Sequence, residues 1–163
     1  MNEFEVETHK LSDDFFELLE GKVIEEHINK IQKRRKKYTI EILKELLDLA
    51  DSLYQKYQLK EAEIIYLAYT GLCPFDHRGP ASLASIYLEQ AQFQKALDML
   101  NIVKTYPTAD FDETLVNMAL CHYKLKQYLE AAAVFIIIKA EKLNEFNQKR
   151  YEFLRKQLNP YLS

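Results

Sequence analysis

Ala62, Ala96 and Ala131 recur at intervals of 34 and 35 residues, and a second set, Ala50, Ala84 and Ala119, recurs in step with them. A chain that repeats itself at this period folds as stacked helix pairs, because one pair cannot bury its apolar face alone. Larger apolar residues keep the same register. Around Ala62 stand Leu46, Leu49, Leu53, Leu59 and Tyr66, closed by Pro74. Around Ala96 stand Leu83, Tyr87, Phe93, Leu100 and Val103, with Pro107 one place early. A third copy follows one residue late, with Leu115, Met118, Tyr128, Phe135 and Ile138 and no closing proline. The small residues let paired helices approach closely, and the large ones fill the space between pairs.

This is the spacing of a tetratricopeptide repeat, a helix-turn-helix unit. The expected fold is all-α: an N-terminal helical leader over residues 1–38, three tandem tetratricopeptide repeats over 39–140, and a C-terminal capping helix over 141–163. The repeats fall at about 43–76, 77–111 and 112–140. Only three glycines and four prolines interrupt the chain, and 48% of it is hydrophobic, enough for a core of this kind. In the leader, Ser12, Asp13 and Asp14 precede Phe15, Phe16, Leu18 and Leu19 and mark a helix start. Thr39 is placed to cap the first repeat helix. The last segment sets Leu143, Phe146, Leu154 and Leu158 at helical spacing among Lys142, Lys149, Arg150, Arg155 and Lys156, the pattern of a solvated cap.

Chemistry finds little purchase in this sequence. His9, His27, His77 and His122 have no Ser, Cys or carboxylate partner at a spacing that argues a nucleophile or a metal site. No glycine-rich phosphate loop is present. Cys73 and Cys121 form no CxxC and read as reduced packing residues. An enzyme is not expected, nor a cofactor or metal. The basic run Lys33 to Lys37 sits in a chain of net charge −3 without interleaved aromatics, so it reads as a solvated segment between helices rather than a nucleic-acid site. The longest apolar run, Ala131 to Ile138, is too short to span a bilayer, and Met1 to Lys10 is polar and does not resemble a signal peptide. A cytoplasmic protein without stable membrane insertion is the expectation.

A repeat stack of this kind offers a concave face made by the first helix of each pair. Offsets from the pivot alanines place Leu47, Asp51 and Tyr54 there in the first repeat, Ala81, Ser85 and Leu88 in the second, and Val116, Leu120 and Tyr123 in the third. The set reads as a mostly apolar and aromatic trough suited to an extended peptide, which loses little entropy on docking. Co-chaperones that clamp the acidic tails of heat-shock chaperones need a lysine and an asparagine where Leu47 and Asp51 stand, which argues against that role.

The junction Leu72-Cys73-Pro74-Phe75-Asp76-His77 resembles the Leu-Cys-x-x-Asp-His found between the first two repeats of the class II chaperones of bacterial type III secretion, the LcrH/SycD kind. Phe16-Glu17-Leu18-Leu19-Glu20-Gly21 followed by Val23-Ile24 is similar to the leader of that family, more loosely. The resemblance spans most of the chain. It implies a non-enzymatic cytoplasmic chaperone that shields a translocator protein before export by holding a short proline-flanked apolar motif in the groove, through Leu47, Tyr54, Leu88 and Tyr123 among others. It further implies a homodimer formed through the leader, where Phe15, Phe16, Leu18 and Leu19 are the self-association residues. The chain departs from the family at Asp51, where an aromatic is favoured, and at Lys33 to Lys37, which looks like an insertion. A chaperone of needle subunits in the same systems, and a general repeat scaffold joining folded proteins, are the alternatives.

Overall fold

The computed structural model describes residues 40–162. The leader residues Phe15, Phe16, Leu18 and Leu19, the basic run Lys33 to Lys37 and the cap residue Thr39 lie outside the described residues. Seven α-helices follow one another: α1 (Ile40–Gln55), α2 (Leu59–Leu72), α3 (Arg78–Glu89), α4 (Phe93–Val103), α5 (Phe111–Lys124), α6 (Tyr128–Phe135) and α7 (Glu145–Leu158). Two short 3₁₀ turns, Ala140–Lys142 and Asn159–Tyr161, precede and follow α7. No strand occurs among the described residues.

The alanines at the repeat period do what their size suggests. Ala50, Ala62, Ala96, Ala119 and Ala131 have no exposed surface and Ala84 has 1%, so each helix crossing is closed by a methyl group against its partner. A larger side chain at such a crossing overpacks it, at about 1–3 kcal/mol. Around these crossings Tyr66, Leu83, Ile86, Leu100, Leu115 and Phe135 fill the core. From Glu45 onward the helices belong to one unit in which α3 packs on α2 and α4, α5 on α4 and α6, and α7 on α5 and α6. Contact between near neighbours alone is the signature of a solenoid.

Each repeat turns in the same way. Tyr57, Ala91 and Lys126 have φ of 60°, 56° and 63°, the left-handed region that costs a residue with a side chain about 1–2 kcal/mol. Backbone hydrogen bonds hold the turn shut. The amide of Gln58 donates to Leu53 at 2.9 Å, that of Gln92 to Tyr87 at 2.8 Å and that of Gln127 to His122 at 2.9 Å. The carbonyls of these three glutamines then accept from the pivot alanines Ala62, Ala96 and Ala131. The pivot therefore sits one helical turn beyond the bend.

The connections between repeats are stitched by side chains. Asp76 accepts from Tyr69 at 2.7 Å and pairs with Arg78 at 2.6 Å, tying the end of α2 to the start of α3. The Arg78 guanidinium holds the Asp76 carboxyl well below the usual carboxylate range. Burial, then the bond to Asp76, raises the Tyr69 phenol. Gly79 is needed there: a Cβ on it would stand 2.3 Å from Thr70 Oγ1, which is itself held by the Tyr66 carbonyl at 2.8 Å. Pro80 is tolerated because it lies in the first turn of α3, where an amide has no helical acceptor. His77 Nδ1 lies 2.8 Å from Thr108 Oγ1, and Tyr106 donates to the Pro74 carbonyl at 2.8 Å. The junction residues singled out in the sequence thus join neighbouring repeats. At the next connection Asp112 accepts the Lys139 amide at 2.8 Å, and α5 and α7 are capped by Asp110 and Asn144.

The terminal helix differs from the expected solvated cap in two places. Phe146 is 62% exposed, and Asn147 takes its place in the interior at 1%. Leu143, Leu154 and Leu158 are buried as the helical spacing requires. Arg150, grouped with the solvated cations, turns inward instead and donates to Asn117 on α5.

Candidate peptide-binding groove

The first helices of the three pairs, α1, α3 and α5, line a cavity of about 340 Å³. Leu47 and Asp51 come from α1, Ala81, Ser85 and Leu88 from α3, and Glu113 and Asn117 from α5. A smaller cavity of about 180 Å³ adjoins it at Asp51 and Ser85, with Tyr54 and Tyr66 as further walls. Six of the nine residues read as groove positions therefore line these two spaces.

The other three are placed elsewhere. Val116 has no exposed surface and is core. Leu120 and Tyr123 line neither cavity. The Tyr123 ring is tilted against Tyr128 at 5.8 Å and meets Phe153 of α7 edge-on at 5.7 Å, while its hydroxyl donates to Gln157 at 3.1 Å. For Tyr123 the reason is the terminal helix: α7 packs on α5, so the offset that Tyr54 and Leu88 occupy in the first two repeats meets another helix in the third.

The lining is also more polar than the expected trough. Asp51, Asp110 and Glu113 supply carboxylates and Arg78 a cation, with Ser82, Ser85 and Asn117 between them. Offsets from the pivot alanine pick out one stripe of each helix. The walls also include the residues that open α3 and α5, Arg78 and Glu113, and the neighbouring stripe with Ser82 and Asn117. Three of the charges are already committed, Arg78 to Asp76 among them. Asp51 accepts from the Tyr66 hydroxyl, and burial together with that bond raises the Tyr66 phenol. Asp110 caps α5 through the Glu113 amide at 2.9 Å. Asp51 is thus a wall held in place by α2.

Beside Asn117 stands a group that the sequence did not single out. The Arg150 guanidinium lies 4.5 Å from the centre of the Phe146 ring and donates to Asn117. Burial lowers its pKa, opposed by Glu89, Tyr54 and Glu113. The same field acts on Tyr54, whose pKa is raised first by burial and then by Glu89. The end of the groove is therefore a small, partly desolvated region where Tyr54, Glu89, Glu113 and Arg150 influence one another.

His77 is engaged with Thr108, and His122 Nδ1 lies 2.7 Å from Gln127 Oε1. Among the described residues no three metal-ligating side chains come together, and no helix is long and apolar enough to cross a membrane.

No family model matches the chain, and no curated protein matches it in sequence. Solved structures do match. The translocator chaperone SycD of Yersinia enterocolitica type III secretion superposes with a TM-score of 0.63 at 16% identity, over 76% of this chain and 85% of that one. The same chaperone in complex with a peptide of the translocator YopD gives 0.60 at 17% identity, over 76% and 92%. The tetratricopeptide domain of Sgt2 from Aspergillus fumigatus gives 0.62 at 13% identity, over 74% and 81%. With helices paired at this period and these likenesses in fold, the chain is an all-α tetratricopeptide-repeat protein.

Proposed function

We propose that this protein is a binding chaperone that holds an extended segment of a client in the groove formed by α1, α3 and α5. The observation that carries the reading is the convergence of the three first helices on a continuous cavity with an apolar floor, Leu47, Ala81 and Leu88, and polar walls. An extended peptide presents side chains to a floor and backbone groups to polar walls, which is what such a cavity can satisfy. Each apolar anchor fully buried contributes about 1.5–3 kcal/mol, less the cost of ordering the peptide.

The client would be a secreted translocator of a bacterial type III system, kept from aggregating in the cytoplasm until export. Support comes from the junction Leu72 to His77, and from the likeness in fold to SycD, a structure of which is in complex with a peptide of the translocator YopD. Leader residues Phe15, Phe16, Leu18 and Leu19 would supply self-association. A general scaffold role is the second reading, favoured by an equal likeness to the Sgt2 repeat domain.

A pull-down from the source cells tests this, with the wild type beside a Tyr54→Ala, Leu88→Ala double variant. The proposal expects one aggregation-prone, membrane-inserting protein with the wild type and its loss with the variant. Recovery of folded soluble partners indifferent to the substitutions would favour the scaffold. Sedimentation of the full chain with Phe15→Ser and Leu19→Ser tests the leader: an unchanged mass per assembly removes the self-association role.

A further inference from the structure

Arg150 is the one cation of the terminal helix that leaves solvent, and its surroundings fix it without neutralising it. A guanidinium carries five N–H donors in a rigid fork. Among the described residues Asn117 is the only recorded acceptor, and the Phe146 ring covers one face. The ion pairs of the described residues are Arg78–Asp76, Lys149–Glu145 and Arg155–Glu152, and none includes Arg150. Glu89 and Glu113 act on it electrostatically but lie beyond ion-pair distance. A half-buried guanidinium oriented by two neighbours, with most of its donors unspent, is a preformed seat for a planar two-oxygen acceptor. It stands next to Asn117, which lines the groove.

We infer that Arg150 selects the client by taking an Asp or Glu side chain of the bound extended peptide into a bidentate pair at the end of the groove. The inference rests on the peptide-binding reading above and names the chemistry of its partner. Glu89 and Glu113 weaken the seat for any carboxylate, so a free anion is held poorly, whereas a carboxylate on a peptide already anchored over Leu47 and Leu88 arrives at high effective concentration and in a fixed orientation. Apolar anchoring supplies affinity, and the carboxylate sets which peptide and which register.

The experiment uses the full chain and two matched pools of synthetic extended peptides with leucine anchors and a flanking proline. One pool carries a single Asp scanned through the positions between the anchors, and the other carries Asn in its place. Retention is read by mass spectrometry for the wild type, Arg150→Gln and Arg150→Lys. The wild type is expected to enrich Asp peptides of one register by about tenfold over their Asn twins. That preference should vanish in Arg150→Gln and return only in part in Arg150→Lys, which keeps the charge but not the fork. Equal retention of both pools by the wild type would overturn the inference and leave the groove reading standing. A uniform loss of both pools in Arg150→Gln would overturn it too, marking Arg150 as a brace between α7 and α5. Retention of neither pool by the wild type would bring down the groove reading and this inference together.

Discussion

Asp76 lies 2.6 Å from Arg78, two residues along the chain, and the same carboxylate takes the Tyr69 hydroxyl at 2.7 Å. One side chain thereby joins the last turn of one repeat to the first turn of the next. Asp76→Asn keeps the shape but weakens both bonds, and should cost about 1–2 kcal/mol at neutral pH. The folded pKa of Asp76 is depressed, so its contribution is complete above the ordinary carboxylate range and is lost as pH falls through the folded value. Thermal melts of wild type and variant should therefore differ at pH 7 and converge in acid. A constant difference across that range would assign the loss to something other than the charge.

The three left-handed turn residues are open to improvement. Tyr57, Ala91 and Lys126 are exposed, so replacing them with glycine forfeits little packing. It relieves about 1–2 kcal/mol of backbone strain against about 0.5–1 kcal/mol of extra chain entropy in the unfolded state. Each substitution should stabilise by about 0.5 kcal/mol, and the three should add, since among the described residues the backbone hydrogen bonds of each turn stay within it. Urea titration of the single and triple variants checks both statements.

Tyr123→Ala separates packing from binding. With its ring against Phe153 and its hydroxyl on Gln157, Tyr123 fastens α7 to the third repeat. The variant should lose about 1–2 kcal/mol and become sensitive to limited proteolysis at α7. Tyr54→Ala should leave α7 protected.

Burial pushes the Cys121 thiol up to about 12, so the nucleophilic thiolate is scarce in the folded protein. Cys73 is only half-buried. A maleimide should label Cys73 in native buffer and Cys121 only after denaturant is added, as read by intact mass. Rapid labelling of both in buffer would show that the third repeat opens.

The fold was legible because its determinants are local and periodic. Ala50, Ala84 and Ala119 with Ala62, Ala96 and Ala131 announce the crossings by size alone, and all six are buried. The groove was legible only as far as the periodicity holds. Leu47, Asp51, Ala81, Ser85 and Leu88 follow from the offset, whereas Tyr123 is met by α7, which no repeat register describes, and Val116 is buried in the core. Arg150 carried no mark to set it apart from Lys149 or Arg155. Its inward turn depends on Asn117, 33 residues away, and a pairing of that range is a tertiary fact.

Tyr106 and Thr108 reach back to Pro74 and His77, so the first two connections between repeats are pinned to each other. At the opposite end Tyr87, in the last turn of α3, donates to Glu63 near the start of α2 at 2.8 Å, a second tie between the first two repeats. The first two repeats are thus latched at both ends of their helices. Sliding one repeat past the next would break a bond at each end, so a segment lying over Leu47 and Leu88 meets walls held at a set spacing.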